Sequence, residues 1–501
     1  MPSQSNFFPL LGLALLGYVL LIAGHGYVFG HLGTMETFPY VKELAHPDLY
    51  PNDFYIEGIQ SHFPDVRWIF VQWLRLFHIT GPWPAFIAHL IVSLILMVGM
   101  LKVALLFTKN LTTSFLVVML TLLVLYNHNL GGNELYYNSL APSLLTKAMG
   151  VWSILFLLQK RINTAILLLI PVTFVHPMVG IQLFLLENLA VLFSRKSTRV
   201  QVIPWKSIVL YLLTAGVWIY YLQRSFSDAP VASAKIFEIL KFRLGHHYFP
   251  SQYPLSSYLL LVPYFLLGWY FFWKENRLVF WFYTFSFLGI LVYSAGVELA
   301  QIPTILSAQW FKTTIWLKFF SSIALMIFIE EKLLSKFSFL RKLYTPLTII
   351  LLVGLSVFLF NKLPQRQPTT LDLPWRNAYN DRIKIALLAK ANTPKDALFV
   401  TPTDFTHLKY YGERSTYVDY KATIHFHSKL VEWYRRIQDI YPQTNTASDS
   451  NFRLIQHQFD PSPTQLQHYK SLGITHIITP SKPKSDARII AHTGNYWIVE
   501  L

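Results

Sequence analysis

The feature that most constrains this chain is a succession of long apolar segments separated by short polar stretches. Eleven occur before residue 361, and we predict membrane helices at 7–25, 84–101, 111–126, 143–158, 163–175, 178–193, 206–223, 255–273, 278–296, 312–330 and 345–360. Several approach the ~20 residues that cross a hydrocarbon core. Only 14% of the 501 residues are charged, whereas about 25% are charged in soluble domains. The sequence therefore predicts an α-helical polytopic membrane protein.

Two of these segments, 163–175 and 178–193, are separated only by His176-Pro177. A residue before proline is disfavoured in the α region, so this pair is either two helices or one hairpin broken at that point. The first segment has no basic residue before it, and no small-residue cleavage site follows. Its apolar core also exceeds the ~7–15 residues of a signal peptide. We therefore expect 7–25 to be a retained membrane helix.

The loops between the segments alternate in character. With the N-terminus in the cytoplasm, every second loop is short and basic; these loops hold Lys102, Lys109, Lys160, Arg161, Arg195, Lys196, Arg199, Lys206, Lys274, Arg277, Lys332, Lys336, Arg341 and Lys342. This arrangement fits the positive-inside rule. The longer loops 26–82, 127–142, 224–254 and 297–311 then lie outside. We predict a multi-pass protein of the bacterial inner (plasma) membrane, with a cytoplasmic N-terminus and a periplasmic C-terminal domain.

The composition changes after residue 360. We divide the chain into a transmembrane domain (1–360), a Pro/Gln/Thr-rich linker (361–374) and a C-terminal domain (375–501). In the last of these, helices predicted at 381–391, 430–441 and 465–472 alternate with strands predicted at 397–401, 416–420, 474–479 and 496–501. This alternation is typical of a small α/β domain. It contains no phosphate loop, nucleophile elbow or dinucleotide fingerprint, so we expect it to support the membrane domain or bind an acceptor.

The net charge of +16 does not indicate nucleic acid as a partner. Neither part of the chain has a dense run of lysine and arginine interleaved with stacking aromatics. The absence of cysteine excludes disulfides, cysteine-ligated zinc and a thiol nucleophile.

The first outer loop delivers the carboxylates of Glu36, Asp48 and Asp53, among others, to one side of the membrane. A carboxylate at this position can act as a general base toward an acceptor hydroxyl or as a metal ligand, so a divalent cation is a candidate cofactor. Asp48 and Asp53 flank prolines, however, and aspartate often bonds its own backbone in turns. Both readings stay open from the residues alone.

Three further outer segments carry polar groups suited to an anionic headgroup. The stretch 127–138, with Glu134, is either a cavity lining or a solvated loop. Arg243, His246 and His247 stand beside aromatic residues, a combination that suits phosphate or pyrophosphate. Lys312 leads into a helix that also contains Lys318, about 9 Å deeper. A charge inside the membrane indicates a functional site by default, although Lys318 could instead pair with Glu298 or reach outward to the interface.

The chain resembles the glycosyltransferase C (GT-C) superfamily and, more narrowly, an uncharacterised bacterial family of GT-C-like membrane proteins. The segments that carry the resemblance are Gly26-Tyr-Val-Phe-Gly30, Asp48-Leu-Tyr-Pro-Asn-Asp53, His62-Phe-Pro64, His176-Pro177, His246-His247-Tyr248, Asn392-Thr-Pro-Lys-Asp396 and Leu430-Val-Glu-Trp-Tyr434. The resemblance implies transfer of a sugar from a polyprenyl-phosphate donor, with Glu36 as the best match to the family's first-loop base, followed by Asp48 and Asp53. The chain departs from the family because no acidic pair stands directly after the first helix.

The residues and the resemblance together predict a membrane glycosyltransferase acting at the periplasmic face. Its partners would be membrane lipid and the polyprenyl-phosphate sugar, with Arg243, His246, His247, Lys312, Lys318 and Glu134 at the lipid phosphate. The first alternative is a non-catalytic GT-C-like scaffold or subunit of an envelope assembly that binds a partner protein. The second is a transporter, against which stands the absence of an internal repeat.

Overall fold

The computed structural model describes residues 7–198, 204–333, 338–362, 371–375, 380–441, 459, 461–483 and 487–501. The chain forms two compact units. The first, here the helical unit, comprises Met1–Tyr27, Ile87–Ile219 and His246–Gln367. The second, here the mixed unit, comprises Val28–Phe86, Tyr220–Gly245 and Pro368–Leu501. The domain boundaries drawn from the sequence stay a prediction, and residues 363–370 of the predicted linker lie outside the described residues.

Helices account for most of the described chain. In chain order they are α1 (Phe7–His25), α2 (Phe38–Ala45), α3 (Phe54–Ser61), α4 (Trp68–Leu76), α5 (Pro82–Thr108), α6 (Leu111–Met119), α7 (Pro142–Leu158), α8 (Ile162–Val175), α9 (Pro177–Thr198), α10 (Trp205–Tyr211), α11 (Val217–Phe226), α12 (Ser233–Tyr248), α13 (Leu255–Glu275), α14 (Arg277–Ser294), α15 (Pro303–Leu306), α16 (Thr314–Phe328), α17 (Ser338–Lys362), α18 (Asp381–Asn392), α19 (His427–Ile440) and α20 (Pro463–Ser471). Five-residue π-helical turns follow α6, α10, α14 and α16.

Seven helices in the described residues are long and apolar enough to cross a membrane: Phe8–His25, Pro82–Thr108, Pro177–Ser194, Trp205–Phe226, Leu255–Glu275, Arg277–Leu299 and Pro303–Glu331. Four shorter apolar helices are Leu111–Val124, Pro142–Leu158, Ile162–Val175 and Ile350–Leu359. Together these correspond one for one to the eleven predicted segments. The predicted class, an α-helical polytopic membrane protein, is confirmed.

The boundary at His176-Pro177 separates two helices. α8 ends at Val175, His176 leaves the helical region with φ −147° and ψ 88°, and α9 begins at Pro177. The two helices pack against each other, so this part of the chain is a pair of helices joined by a single residue. The proline disfavours the α conformation at the residue before it, which explains the break.

A five-stranded sheet forms the centre of the mixed unit. Its strands are β1 (Leu398–Val400), β2 (Ser415–Thr416), β3 (His476–Thr479), β4 (Arg488–Thr493) and β5 (Tyr496–Glu500), in the order β2-β1-β3-β5-β4. The pairs β1–β2 and β1–β3 are parallel, whereas β3–β5 and β4–β5 are antiparallel. Ile385 of α18, Phe399, Ile478 and Ile498 form its buried core with Leu408. The predicted C-terminal α/β arrangement is confirmed.

Some elements differ from the sequence-based expectation. The strand predicted at 416–420 is reduced to Ser415–Thr416, and β4 was not predicted. The segments 26–82 and 224–254, predicted as outer loops, contain α2, α3, α4 and the whole of α12. These helices are mostly only eight or nine residues long, so they lack the extended apolar run that identifies a membrane helix.

Candidate functional site

The loop between α6 and α7 forms the centre of a polar cluster in the helical unit. Gly131 and Gly132 both adopt positive φ, +84° and +59°, a conformation that favours glycine. The carboxylate of Glu134 accepts hydrogen bonds from the Asn127 backbone amide (2.9 Å) and the Asn129 side chain (2.8 Å). The loop is therefore folded around an acidic side chain rather than freely solvated.

Lys318 of α16 pairs with this acidic side chain. Its Nζ lies 2.5 Å from Glu134 Oε2 and donates to the backbone oxygens of Leu125 (3.0 Å) and His128 (3.1 Å). The lysine and glutamate side chains are 2% and 9% exposed. The alternative that Lys318 pairs with Glu298 or reaches outward is wrong. Lys318 is buried and paired with Glu134, and Glu298 instead accepts a hydrogen bond from the Ser251 backbone amide.

A second lysine, Lys147 of α7, belongs to the same cluster and was missed from the sequence. Its Nζ donates to Asn133 Oδ1 (2.6 Å) and to the Glu134 backbone oxygen (2.5 Å), and lies 4.4 Å from the centroid of the Tyr137 ring. Its position inside an apolar helix was a usable signal, since charges in membrane helices are expensive and mark functional sites.

Lys312 is the third cation. It is half-buried, and its Nζ has no hydrogen-bond or ion-pair partner among the residues that the structure describes. The charges of Lys312 and Lys318 both act on Lys147. In the described part of this region, three ammonium groups are thus accompanied by one carboxylate, Glu134, and the excess positive charge favours an anionic ligand.

Two histidines border the same loop. His247 Nδ1 lies 3.1 Å from the Gly131 carbonyl oxygen, and the His246 and His247 ring centroids are 4.1 Å apart. A Cβ on Gly132 would meet His247 Nδ1 at 2.5 Å, and one on Gly131 would meet the Lys312 backbone nitrogen at 3.3 Å. The glycines thus permit the close approach of both segments. We call Glu134, Lys147, His246, His247, Lys312 and Lys318 the cationic cluster.

Arg243 belongs to the other unit. Its guanidinium donates to the backbone oxygens of Tyr420 (2.7 Å) and Lys421 (3.0 Å) and lies 4.6 Å from the centroid of the Tyr420 ring. These contacts fix residues 420–421 in the mixed unit. Burial lowers the pKa of the neighbouring Lys421, and the charge of Arg243 lowers it further, whereas Glu36 acts in the opposite direction. Lys421 carried no sequence signal, because its environment arises from segments far apart in the chain.

Glu36 is also in the mixed unit and is partly accessible, with 20% of its side chain exposed. Its Oε2 accepts a short contact from the Arg67 guanidinium, and the Tyr55 hydroxyl donates to its backbone oxygen at 3.2 Å. Burial opposes the charge of Arg67, but the surrounding acidic groups, Glu36 foremost, outweigh it and raise the Arg67 pKa. Glu36 is thus a fixed carboxylate with an orienting cation.

Asp48 and Asp53 are held in local structure. Asp48 adopts a positive φ of 68°, and its backbone amide donates to Glu43, as expected of a turn residue. Asp53 is fully buried, caps α3 through the Tyr55 and Ile56 amides, and pairs with Lys409 at 2.7 Å. Asp48 is therefore a turn residue, as that reading expected, whereas Asp53 is a helix cap in a buried ion pair.

The described residues include no group of three or more His, Asp or Glu side chains arranged to hold a metal ion. Glu36 offers one carboxylate, and its neighbour is the positively charged guanidinium of Arg67. A divalent metal ion needs several oxygen ligands and does not fit beside this guanidinium.

Comparison with known proteins gives three findings. Residues 380–440 match a domain of unknown function (DUF6798). No curated protein matches the chain. Among solved structures, the chain is similar to ArnT from Cupriavidus metallidurans in the apo state, over 99% of this chain and 98% of that chain, with 13% identity and a TM-score of 0.38.

Proposed function

We propose that the protein is a membrane glycosyltransferase that takes a sugar from a polyprenyl-phosphate donor at the periplasmic face of the inner membrane. The observation that carries this proposal is the cationic cluster, in which Lys147, Lys312 and Lys318 are accompanied by Glu134 alone among the carboxylates that the structure describes. Lys312 and Lys318 lie on a helical segment long and apolar enough to cross a membrane. A ligand suited to this cluster is anionic and reaches it from the lipid phase.

Sugar transfer from a polyprenyl phosphate builds up negative charge on the departing phosphate, which a cluster of cations can stabilise. The acceptor oxygen forms a bond to the anomeric carbon while the bond from that carbon to the phosphate oxygen breaks. The departing polyprenyl phosphate gains negative charge, and fixed cations in a water-poor site stabilise it in the transition state. Lys312 is the best-suited cation, since its Nζ is not engaged by any described residue, and His246 and His247 are placed to donate to the same phosphate.

The acceptor hydroxyl must lose its proton, and we assign this step to Glu36. Its partial exposure and its orientation by Arg67 support the assignment, as does the resemblance of the first outer loop. Asp48 and Asp53 are the lesser candidates because turn geometry and a buried ion pair already account for them. Arg243 and Lys421 supply positive charge on the side of the mixed unit that also holds Glu36.

The test is transfer from a labelled polyprenyl-phosphate sugar by the full-length protein in lipid nanodiscs. Glu36→Gln should lower kcat about 10²–10⁴-fold, the usual contribution of a general base. Glu57→Gln, which removes an exposed carboxylate of the same loop, should leave the rate unchanged. A Glu36→Gln variant that transfers sugar at the wild-type rate would exclude Glu36 as the base.

A non-catalytic scaffold is the second candidate, favoured by the engagement of two of the candidate carboxylates, Glu36 by Arg67 and Asp53 by Lys409. A protein of this kind would purify with a stoichiometric protein partner and without bound lipid phosphate. Mass spectrometry of the purified protein distinguishes the two functions, because the glycosyltransferase should retain polyprenyl phosphate and need no partner.

A further inference from the structure

An open groove of about 770 Å³ lies between α2 and α4 in the mixed unit. Its size is within the ~300–1,000 Å³ of small-molecule sites. Val41 of α2 and Trp73 and Leu76 of α4 provide an apolar surface, and Arg75 and His78 stand at the end where α4 runs into the next turn. The groove therefore combines an apolar channel with two groups able to carry positive charge.

The exposed side of α4 is unusually apolar for a surface helix. Its inner face is filled by Phe70, Val71 and Leu74, all fully buried. Leu76 and the following Phe77 are nevertheless 73% and 58% exposed. Two large apolar side chains at this level of exposure indicate a surface that is covered in its native environment.

The polar end of the groove has no acidic partner. Arg75 donates to Gln72 at 3.0 Å, and within the described residues no carboxylate lies within ion-pair distance of it. His78, with a positive φ of 54°, is exposed, and its imidazole makes no hydrogen bond or ion pair with any described residue, although its backbone amide donates to the Arg75 carbonyl oxygen at 3.0 Å. An anionic group at this end would meet one fixed charge and one imidazole donor.

The groove is close along the chain to the start of a membrane helix. Thr80, which lines it, stands two residues before α5, so the two Cα atoms are at most about 7 Å apart. α5 is 27 residues long and apolar enough to cross a membrane. Trp83 and Trp375, 52% and 56% exposed with ring centroids 5.8 Å apart, form the aromatic pair expected at a membrane–water interface.

We propose that this groove binds one anionic phospholipid of the bilayer. Its acyl chain lies along Val41, Trp73 and Leu76, and its phosphate contacts Arg75 and His78. We choose a bilayer lipid as the occupant because the groove has positive charge at one end and lies directly before a helix long enough to cross the membrane. This inference does not depend on glycosyl transfer and concerns residues outside the cationic cluster.

The absence of cysteine allows a direct test. Leu76→Cys introduces a single thiol that can carry an environment-sensitive fluorophore, and Ile489→Cys provides a control at an exposed apolar residue of β4. The full-length labelled protein is placed in nanodiscs of phosphatidylcholine that contain brominated phosphatidylglycerol or brominated phosphatidylcholine at the same fraction. Quenching then reports which lipid touches the label.

Stronger quenching at position 76 by brominated phosphatidylglycerol is the expected result, with neither lipid quenching at position 489. Arg75→Gln in the Leu76→Cys background should weaken the preference for phosphatidylglycerol about fivefold, the effect of one charge near a lipid surface. Equal quenching by the two lipids at position 76 overturns the proposal. Displacement of phosphatidylglycerol by a small excess of polyprenyl phosphate also overturns it, since the groove would then belong to the donor.

Discussion

Asp53 and Asp419 share one lysine in the interior of the mixed unit. Lys409 Nζ lies 2.7 Å from Asp53 and 2.5 Å from Asp419, and all three side chains are at most 6% exposed. Burial opposes the charge on Lys409, but Asp419 and Asp53 outweigh it and raise the lysine pKa. Burial also raises the pKa of Asp419 despite the lysine. The network joins α3 to the C-terminal part of the chain.

We predict that Lys409→Met destabilises the protein by about 3–5 kcal/mol, because it leaves two buried carboxylates without a cation. Asp53→Asn should cost less, about 1–2 kcal/mol, since the remaining Lys409–Asp419 pair is neutral and asparagine can still cap α3. Thermal unfolding of the purified protein measures both, with the exposed Lys470→Met as control. The reverse order of the two variants would contradict the structural role of this network.

Glu413 should make stability depend on pH. Its two oxygens lie 2.8 Å from Lys42 and 2.7 Å from Lys390; burial raises its pKa, but the lysines outweigh burial and lower it below the ordinary 4.5. A carboxyl with a lower pKa in the folded state contributes stability above pH 4.5 that is lost as the pH falls through the folded value. The free energy of unfolding of Glu413→Gln should therefore depend less on pH below 4.5 than that of the wild-type protein. The same pH dependence for both proteins in this range would refute this.

Single residues of the cationic cluster were predictable where a general rule applied. Glu134, Lys312 and Lys318 stand out because charged residues at membrane depth are rare. Lys147 meets the same criterion and could have been found in the same way. Lys421 could not, because its environment depends on Arg243 and Glu36, which lie about 180 and 385 residues away along the chain.

At the scale of elements, the loop between α6 and α7 is the part on which the cationic cluster depends. Gly131→Ala adds a Cβ at φ +84°, 3.0 Å from Phe311 Cβ and 3.2 Å from its backbone carbon. The left-handed conformation alone costs about 1–2 kcal/mol for a residue with a side chain. We predict that this variant shifts the backbone of residues 311–312 and weakens binding of polyprenyl phosphate.

The matched control for Gly131→Ala is Gly354→Ala in α17, where a Cβ would meet nothing within 4 Å. Alanine there is also the better helix former, so its stability should be equal or higher. Isothermal titration with polyprenyl phosphate in detergent compares the two variants. Equal affinity of the wild-type protein and Gly131→Ala would show that the loop does not position the cluster.

Elements were predictable in proportion to the length of their apolar pattern. The eleven apolar helices were found because each is a continuous apolar run, whereas α2, α3 and α4 are short amphipathic helices whose inner faces exist only in the folded mixed unit. β4 was missed because its residues are mostly exposed or half-buried, so no buried strand pattern marks it. It pairs with β5 across a turn at Gly494.

At the scale of the whole molecule, the composition of the two units could not be inferred from chain order. The first long segment between apolar helices, Val28–Phe86, belongs to the same unit as the C-terminal residues. The contacts responsible join residues more than 300 positions apart, such as His31 with Asp372 (2.7 Å) and Asp53 with Lys409. Sequence patterns report local structure and carry no record of such pairings.

The orientation of the chain stays a prediction and is open to direct measurement. Asp396→Cys and Gln159→Cys each place a single thiol at an exposed position, the first in the C-terminal domain and the second in a predicted cytoplasmic turn. In intact spheroplasts a membrane-impermeant maleimide should label Asp396→Cys, and Gln159→Cys only after permeabilisation. The opposite pattern would place the C-terminal domain in the cytoplasm and exclude a periplasmic reaction.

The central claim, that the cationic cluster binds a lipid-linked phosphate, is tested most directly by the affinity of Lys312→Gln for polyprenyl phosphate. Because Lys312 Nζ has no partner among the described residues, the variant should keep the wild-type unfolding temperature while its Kd rises about tenfold, the loss of one hydrogen bond to a charged group. Lys274→Gln, an exposed lysine at the end of α13, should bind as the wild-type protein does. An unchanged Kd for Lys312→Gln, at unchanged stability, would contradict the claim.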